Sequence, residues 1–358
     1  MSQIVKNDIH ALETILEELS CKKALLVCDQ SFDHIVFADY IKSFENRFVR
    51  FSGFGSNPLI EDAQKGVTVL LNKNCDCIIA VGGGSSLDVA KYIKLEGNHQ
   101  LPLIAIPTTA GTGSESTQHI VVYENGVKRS IANEVVIPNY VILDATVLET
   151  LPPYQKVCTA LDAFFQGVES YWSVNSSPSS RKISALCINQ MSRYLDVYFS
   201  SKEDRRFNVK VAMNIMEAAN LSGQAINLTQ TTAGHAMSYK LSSMFNIPHG
   251  HAVALCMFAI WNYSIDYVKK HKLTDVERTM LEICDCTNFK TLREFSDYMH
   301  SIIYTYGGLW NPVSDDFDRD VDLLTASVNP ERLKNNPIRF DANDLKKIYS
   351  QVLLRKDS

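Results

Sequence analysis

Three short apolar runs, each stopped by a strand-breaking residue, constrain this chain most. Ala24-Leu25-Leu26-Val27-Cys28 ends at Asp29, Cys77-Ile78-Ile79-Ala80-Val81 ends at Gly82, and Leu103-Ile104-Ala105-Ile106 ends at Pro107. Apolar runs of this length without alternation suit parallel strands covered on both faces. Between them, Ile60 to Leu71 and Leu87 to Lys94 carry helical spacing. The alternation predicts an open α/β sheet, with ligands bound at the carboxyl ends of its strands. Gln118 to Tyr123, followed by Asn125-Gly126, reads as a β-hairpin, because Asn-Gly is a strong two-residue turn signal. Val141-Ile142-Leu143-Asp144 closes the region.

The character changes at Leu151-Pro152-Pro153. Beyond it the pattern is helical, with Val209, Ala212, Met213, Met216 and Asn220 recurring at helical spacing. Ser176-Ser177-Pro178-Ser179-Ser180 reads as a break and a helix cap. A length of 358 residues leaves room for about two domains. The expected division is an α/β dinucleotide-binding domain over 1–150 and an all-α domain over 151–358.

Lysine and arginine number 35 against 40 acids, a formal charge of −5, which argues against nucleic-acid binding as the main activity. No apolar run of membrane-spanning length occurs, and the first residues lack a signal core, so a cytoplasmic protein without a membrane partner is expected. The nine cysteines show no zinc-ribbon spacing and read as reduced, Cys77 packing as a small hydrophobe.

Two loops carry candidate chemistry in the first part. Gly82-Gly83-Gly84-Ser85-Ser86 follows a strand and opens a helix, where glycine lets a pyrophosphate approach and the free N–H groups attract its charge. Pro107-Thr108-Thr109-Ala110-Gly111-Thr112-Gly113 follows the next strand and offers hydroxyls to phosphate or ribose. In the second part, Asp162 and Gln166 stand four apart on a helical face. His235 and His249 follow with 13 residues between them, and His251 adds a third imidazole. One carboxylate, one amide oxygen and two imidazoles suit a divalent transition metal, Fe2+ or Zn2+.

The two loops, the Asp-x-x-x-Gln segment and the His-x13-His pair together resemble the iron-containing (group III) alcohol dehydrogenase family, a relative of dehydroquinate synthase, over nearly the whole chain. The resemblance implies a Rossmann-like N-terminal domain and a helical C-terminal domain that binds metal and substrate. By position, Gly83, Gly84, Ser85 and Asp88 correspond to the family's pyrophosphate loop, and Thr108, Thr109 and Thr112 to its second nucleotide loop. Asn57 and Lys128 match positions lining the nucleotide site. Asp29, after the first strand, suits a ribose 2′-hydroxyl and repels a 2′-phosphate, which favours NAD(H) over NADP(H). Asp162, His235 and His249 match three metal ligands. Gln166 stands where the family has a histidine, so it either coordinates through its neutral oxygen or holds a water.

Tyr239 stands where many members have a histidine near the nicotinamide; a phenol is a poor base near neutral pH, and His251 is the candidate to replace it in proton transfer. The resemblance implies transfer of a hydride between a nicotinamide and a small aldehyde or primary alcohol, in a homodimer. The phrases Glu169-Ser170-Tyr171-Trp172-Ser173, Ser179-Ser180-Arg181 and Thr231 to Tyr239 are most similar to the phosphonoacetaldehyde reductase branch. Ser173, Arg181, Thr231, Thr232 and Lys240 are then the candidates for holding a phosphonate, Arg181 in a bidentate manner. Two alternatives stay open: a general short-chain alcohol, aldehyde or diol dehydrogenase, and a degenerate nucleotide-binding member without turnover.

Overall fold

The three apolar runs form the buried centre of one parallel sheet. The computed structural model of the chain describes residues 3–200 and 207–356. Its first eight strands are β1 (Ile4–Lys6), β2 (Ala24–Cys28), β3 (Phe48–Phe51), β4 (Cys77–Gly82), β5 (Leu103–Pro107), β6 (His119–Glu124), β7 (Val127–Ala132) and β8 (Tyr140–Ile142). Six of them make a sheet in the order β1-β8-β5-β4-β2-β3, every pair parallel. Every residue of β2, β4 and β5 is buried, as strands covered on both faces require. The edge strands β1 and β3 escape a search for apolar runs, because edges are short and partly exposed; all three residues of β1 are exposed.

Helices α1 (Ala11–Glu18), α2 (Ala38–Lys42), α3 (Ile60–Asn72) and α4 (Gly84–Gly97) connect the strands. From β2 the chain steps outward to β3, then returns to lay β4, β5 and β8 on the other side. The order therefore reverses between β2 and β4, and a ligand crevice opens at such a point, beyond the strand ends. β6 and β7 pair antiparallel, with Asn125 and Gly126 both at positive φ in the turn, the conformation that an Asn-Gly hairpin selects.

The remaining helices are α5 (Pro153–Trp172), α6 (Pro178–Phe199), α7 (Val209–Thr229), α8 (Ala233–Phe245), α9 (His249–Lys270), α10 (Thr274–Cys286), α11 (Leu292–His300), α12 (Phe317–Ser327), α13 (Pro330–Leu333) and α14 (Ala342–Val352). The chain packs as two compact units. One is Met1–Leu151 with Phe207–Gly223; the other is Pro152–Arg206 with Gln224–Ser358. The stretch 207–223 joins the first unit, a grouping that helical period alone could not reveal. There Asn220 Nδ2 donates to Ser116 Oγ at 2.6 Å and to Glu115 Oε1 at 3.2 Å.

In the second unit α5 is the central element. It is buried along most of its length and packs on α6 and α9. Phe164 and Phe165 are fully buried, each worth roughly 1.5–3 kcal/mol of transfer free energy. Trp172 stacks on Trp261 at 5.9 Å between centroids, and Trp261 meets Phe295 edge-on at 4.7 Å. Ser177 caps α6 in a capping box with Ser180, ahead of Pro178 at the first turn. All nine cysteines are free thiols. Among the described residues, no helix is long and apolar enough to cross a membrane.

Candidate functional site

Asp162 is a carboxylate inside an apolar helix, and two imidazoles meet it. One ligand atom each from Asp162, His235 and His249 lies within 4.8 Å of the others. The turn between α8 and α9 makes this possible. Asn246 closes α8 in the left-handed conformation and Pro248 caps α9, so the chain turns back and His249, at the start of α9, lies against Ser238 and Tyr239, about one turn along α8 from His235. Gly250 then presses α9 onto α5: a Cβ there would lie 1.9 Å from the Cys158 carbonyl oxygen. A larger residue at 250 would lift His249 away from Asp162.

Asp162 Oδ1 lies 3.1 Å from His235 Nε2 and 4.0 Å from His249 Nε2. The other ring nitrogen of His235 is bound by Glu169 Oε2. Glu169 is fully buried, and its Oε1 accepts from Thr232 N at 3.1 Å, Thr232 Oγ1 at 2.8 Å and His235 N at 3.2 Å. Burial alone would raise the Glu169 carboxyl, but the facing imidazole and these donors more than offset it and hold it below the usual range. For His235 burial pulls downward, yet Glu169 and Asp162 push its pKa up to about 9. One carboxylate and two imidazoles, one of them oriented from behind by a buried carboxylate, form a donor set that fits Fe2+ or Zn2+ with a position left for substrate. Gln166 lies buried one turn beyond Asp162.

Glu169 is a site residue that the sequence reading quoted without assigning. Its signal was available: Asp162, Gln166 and Glu169 stand at i, i+4 and i+7, a polar stripe on an otherwise apolar helix.

Other candidates land differently. His251, the candidate for proton transfer, has both ring nitrogens occupied. Nε2 must donate to the Trp310 carbonyl at 2.8 Å, so Nδ1 accepts from the Tyr154 hydroxyl at 2.8 Å. Burial also pushes its pKa down, keeping it neutral. Tyr239 is beside the cluster: its ring lies 7° from parallel to His249 at 5.3 Å between centroids. Its hydroxyl accepts from Arg332 Nη1 at 3.0 Å. Arg332 carried no sequence signal, standing 93 positions from Tyr239.

The headgroup candidates are mostly engaged elsewhere. Arg181 is paired with Glu282 at 3.1 Å and donates through Nε to Ser176, so its charge is already answered. Ser173 Oγ donates to Asn335 Oδ1 at 2.6 Å. Thr232 Oγ1 donates to Glu169 and accepts from Trp172 Nε1. The Thr231 carbonyl accepts from Asn335 Nδ2, and Lys240 is exposed on α8.

In the first unit the candidate nucleotide residues gather at the reversal point. Gly82 is opposite Pro107 in the sheet register, which sets the two loops side by side. A Cβ on Gly83 would sit 3.5 Å from Thr109, and one on Gly84 3.1 Å from Thr112. Gly83 precedes α4, so Gly84 and Ser85 begin its first turn, which no side chain of Gly83 caps, and a helix start of this kind suits an anion. Ser85 Oγ donates to Ser56 O at 2.6 Å, which ties in the loop that carries exposed Asn57. Thr108 N donates to Gly82 O at 3.0 Å. Asp29 follows β2 at the same point, with Ser86 Oγ 3.5 Å from Oδ2 and Ser31 N capped by Oδ1.

Asp88 is the exception, turning away from the loop. Its oxygens accept from Ser114 Oγ at 2.6 Å and Val121 N at 2.9 Å, and Lys91 Nζ stands 3.9 Å away. It ties α4 to the second loop and the hairpin. Lys128 is on that hairpin, opposite Tyr123.

Comparisons with known proteins bear on both units. The family described as "Iron-containing alcohol dehydrogenase" matches residues 3–145, and "Fe-containing alcohol dehydrogenase family, C-terminal" matches residues 156–353. The chain is 29% identical over 289 residues to "Choline dehydrogenase" of Bacillus subtilis, covering 73% of this chain and 71% of that protein. It is 28% identical over 265 residues to "Alcohol dehydrogenase 4" of Schizosaccharomyces pombe, covering 68% of this chain and, at 62%, less than two thirds of that protein. In fold it is similar to sulfoacetaldehyde reductase from Bifidobacterium kashiwanohense, solved in complex with NAD+, with a TM-score of 0.84, 23% identity and coverage of 98% and 96% of the two chains. The chain belongs to the iron-containing alcohol dehydrogenase family.

Proposed function

We propose that this chain interconverts a small aldehyde and its primary alcohol, using one divalent metal and a nicotinamide, with phosphonoacetaldehyde and 2-hydroxyethylphosphonate as the first pair to test. The observation that carries the reading is the convergence of Asp162, His235 and His249 within 4.8 Å. In this reading Asp162, His235 and His249 hold Fe2+ or Zn2+, and Gln166 adds a neutral oxygen or positions a water. When bound, the metal supplies Lewis-acid polarisation of the carbonyl oxygen, and the nicotinamide supplies the hydride.

The chain's own groups do the rest. Glu169 fixes the ring of His235 and keeps Nε2 directed at Asp162. Tyr239, stacked on His249, is the remaining candidate to hold a proton near the reacting oxygen, since His251 is engaged on both sides. Gly83, Gly84, Ser85 and the α4 first turn hold the pyrophosphate, with Thr108, Thr109 and Thr112 beside it. Asp29 supports NAD(H) as the nicotinamide through its place at the reversal point. A homodimer belongs to the same reading, on resemblance alone.

A general alcohol or diol dehydrogenase is the second reading. It is favoured by Arg181, the expected phosphonate clamp, being paired with Glu282. The test is NADH oxidation by purified, metal-reconstituted protein with phosphonoacetaldehyde, acetaldehyde, propanal and glycolaldehyde, beside a His249→Ala control. His249-dependent preference for phosphonoacetaldehyde supports the first reading, and equal rates with neutral aldehydes support the second. A protein that binds nicotinamide and turns over none of them would be the degenerate member.

A further inference from the structure

We propose that Arg332 selects the substrate: its guanidinium receives the anionic headgroup of a short aldehyde whose carbonyl is turned toward Asp162, His235 and His249. The class is a two- or three-carbon aldehyde ending in phosphonate, sulfonate or carboxylate. This deepens the reading above and rests on it.

The argument begins with placement. Arg332 is half-buried on α13, its Nη1 on the Tyr239 hydroxyl at 3.0 Å and its Cζ 5.0 Å from the Tyr239 ring centroid. Tyr239 in turn lies flat against His249. One aromatic ring thus separates the guanidinium from a member of the cluster.

The second step is charge. Among the described residues, no carboxylate lies within ion-pairing distance of Arg332, whereas Lys334 and Arg181 are already paired and Lys240 is exposed on α8. Lys334 takes both oxygens of Glu331, at 2.7 Å each, and Arg181 has Glu282. A phenol satisfies one N–H of Arg332 without neutralising it. The planar fork keeps further donors for a bidentate oxyanion.

The third step is preorganisation. Asn329 caps α13 through Glu331 N at 2.9 Å. Just beyond the helix, buried Asn335 donates to the Thr229 and Thr231 carbonyls at 2.8 and 3.0 Å and accepts from Ser173 Oγ. Ser173 and Thr231 therefore act on the headgroup indirectly, by fixing the segment that presents the arginine. A cation held in position loses less entropy on binding than a solvated one.

The test compares wild type, Arg332→Gln and Arg332→Lys, all loaded with Zn2+. Calorimetric titration with 2-hydroxyethylphosphonate, isethionate and 3-hydroxypropionate separates the three headgroups, with 1-propanol as the neutral probe. Turnover with NADH then gives the ratio of kcat/KM for phosphonoacetaldehyde to that for propanal. Arg332→Gln is expected to weaken at least one anionic probe by about 30-fold and to lower the turnover ratio similarly, through KM. Arg332→Lys should recover part of both. A folded Gln variant that binds all three anions as wild type does would overturn the proposal. So would propanal turnover that falls as far as phosphonoacetaldehyde turnover, which marks Arg332 as a mere support for Tyr239. If wild type turns over no aldehyde, the proposed function fails, while the titrations still decide whether Arg332 binds the anion.

Discussion

Glu169 and His235 are joined carboxylate to imidazole, Glu169 Oε2 on Nδ1, while Nε2 of the same ring reaches Asp162 Oδ1 at 3.1 Å. A hydrogen bond at Nδ1 decides which nitrogen keeps a lone pair. Here the carboxylate favours the proton on Nδ1 and leaves the lone pair of Nε2 on the side of Asp162. Because Glu169 also accepts from Thr232 and the His235 backbone, it fixes the start of α8 together with the ring.

Glu169→Gln should therefore weaken metal binding without dismantling the helices. An amide is nearly isosteric but does not favour one His235 tautomer as a carboxylate does, and changes of this kind typically cost about 10–100-fold in metal affinity. Competition against a chromophoric chelator measures it, with circular dichroism as the control for folding. A loss below about threefold would assign Glu169 to helix packing alone.

Gln166→His tests the departure from the family's ligand pattern. Position 166 is one helical turn from Asp162 and buried, so an imidazole there faces the same way. Imidazole suits iron and zinc better than a neutral amide oxygen. Zn2+ affinity should rise by about tenfold or more in the same competition assay. An unchanged affinity would mean that position 166 does not reach the ion.

Much of this molecule was legible before its structure. β2 starts and ends where the apolar run does, and Asp29, Gly82 and Pro107 stand at strand ends because the strands stop there. The cluster of Asp162, His235 and His249 was legible from residue type and spacing, with the segment of Asp162 and Gln166 read as a helix and Pro248-His249-Gly250 as a turn signal. What stayed hidden depends on packing between distant segments. Nothing in Pro330-Glu331-Arg332-Leu333 points to Tyr239, and nothing near His251 shows that Trp310 offers it a carbonyl. The pairing of Arg181 stayed hidden for the same reason: its partner, Glu282, lies 101 residues away.

His251→Leu should cost stability and spare the pH profile of turnover. A leucine satisfies neither the Tyr154 hydroxyl nor the Trp310 carbonyl, a loss of about 1–3 kcal/mol. In the wild type the folded-state pKa lies below 6.5, so acidification from 6.5 downward protonates the unfolded chain first and lowers stability. The variant lacks that share of the acid sensitivity. Urea midpoints at neutral and mildly acidic pH check both points. A displaced pKa in the kcat profile would return His251 to the proton path.

Lys91 gives a pH effect of the same sign at higher pH in the first unit. It is fully buried, and its ammonium donates to Ser114 Oγ at 2.9 Å, Thr117 Oγ1 at 3.1 Å and His119 O at 3.0 Å. Burial pushes its pKa down from 10.5 to about 8, against the pull of Asp88 and Glu115. Between those two values the unfolded chain holds a proton that the folded chain has released, so the contribution of Lys91 makes the fold more stable as pH rises through this window. Lys91→Met removes that contribution. The unfolding free energy of wild type minus that of the variant should grow by about 1–3 kcal/mol across the window, the tyrosines cancelling in the difference. Urea unfolding of both proteins at the two ends measures it. A difference that stays flat would mean that Lys91 keeps its proton throughout, its bonds to Ser114, Thr117 and His119 outweighing the cost of burial.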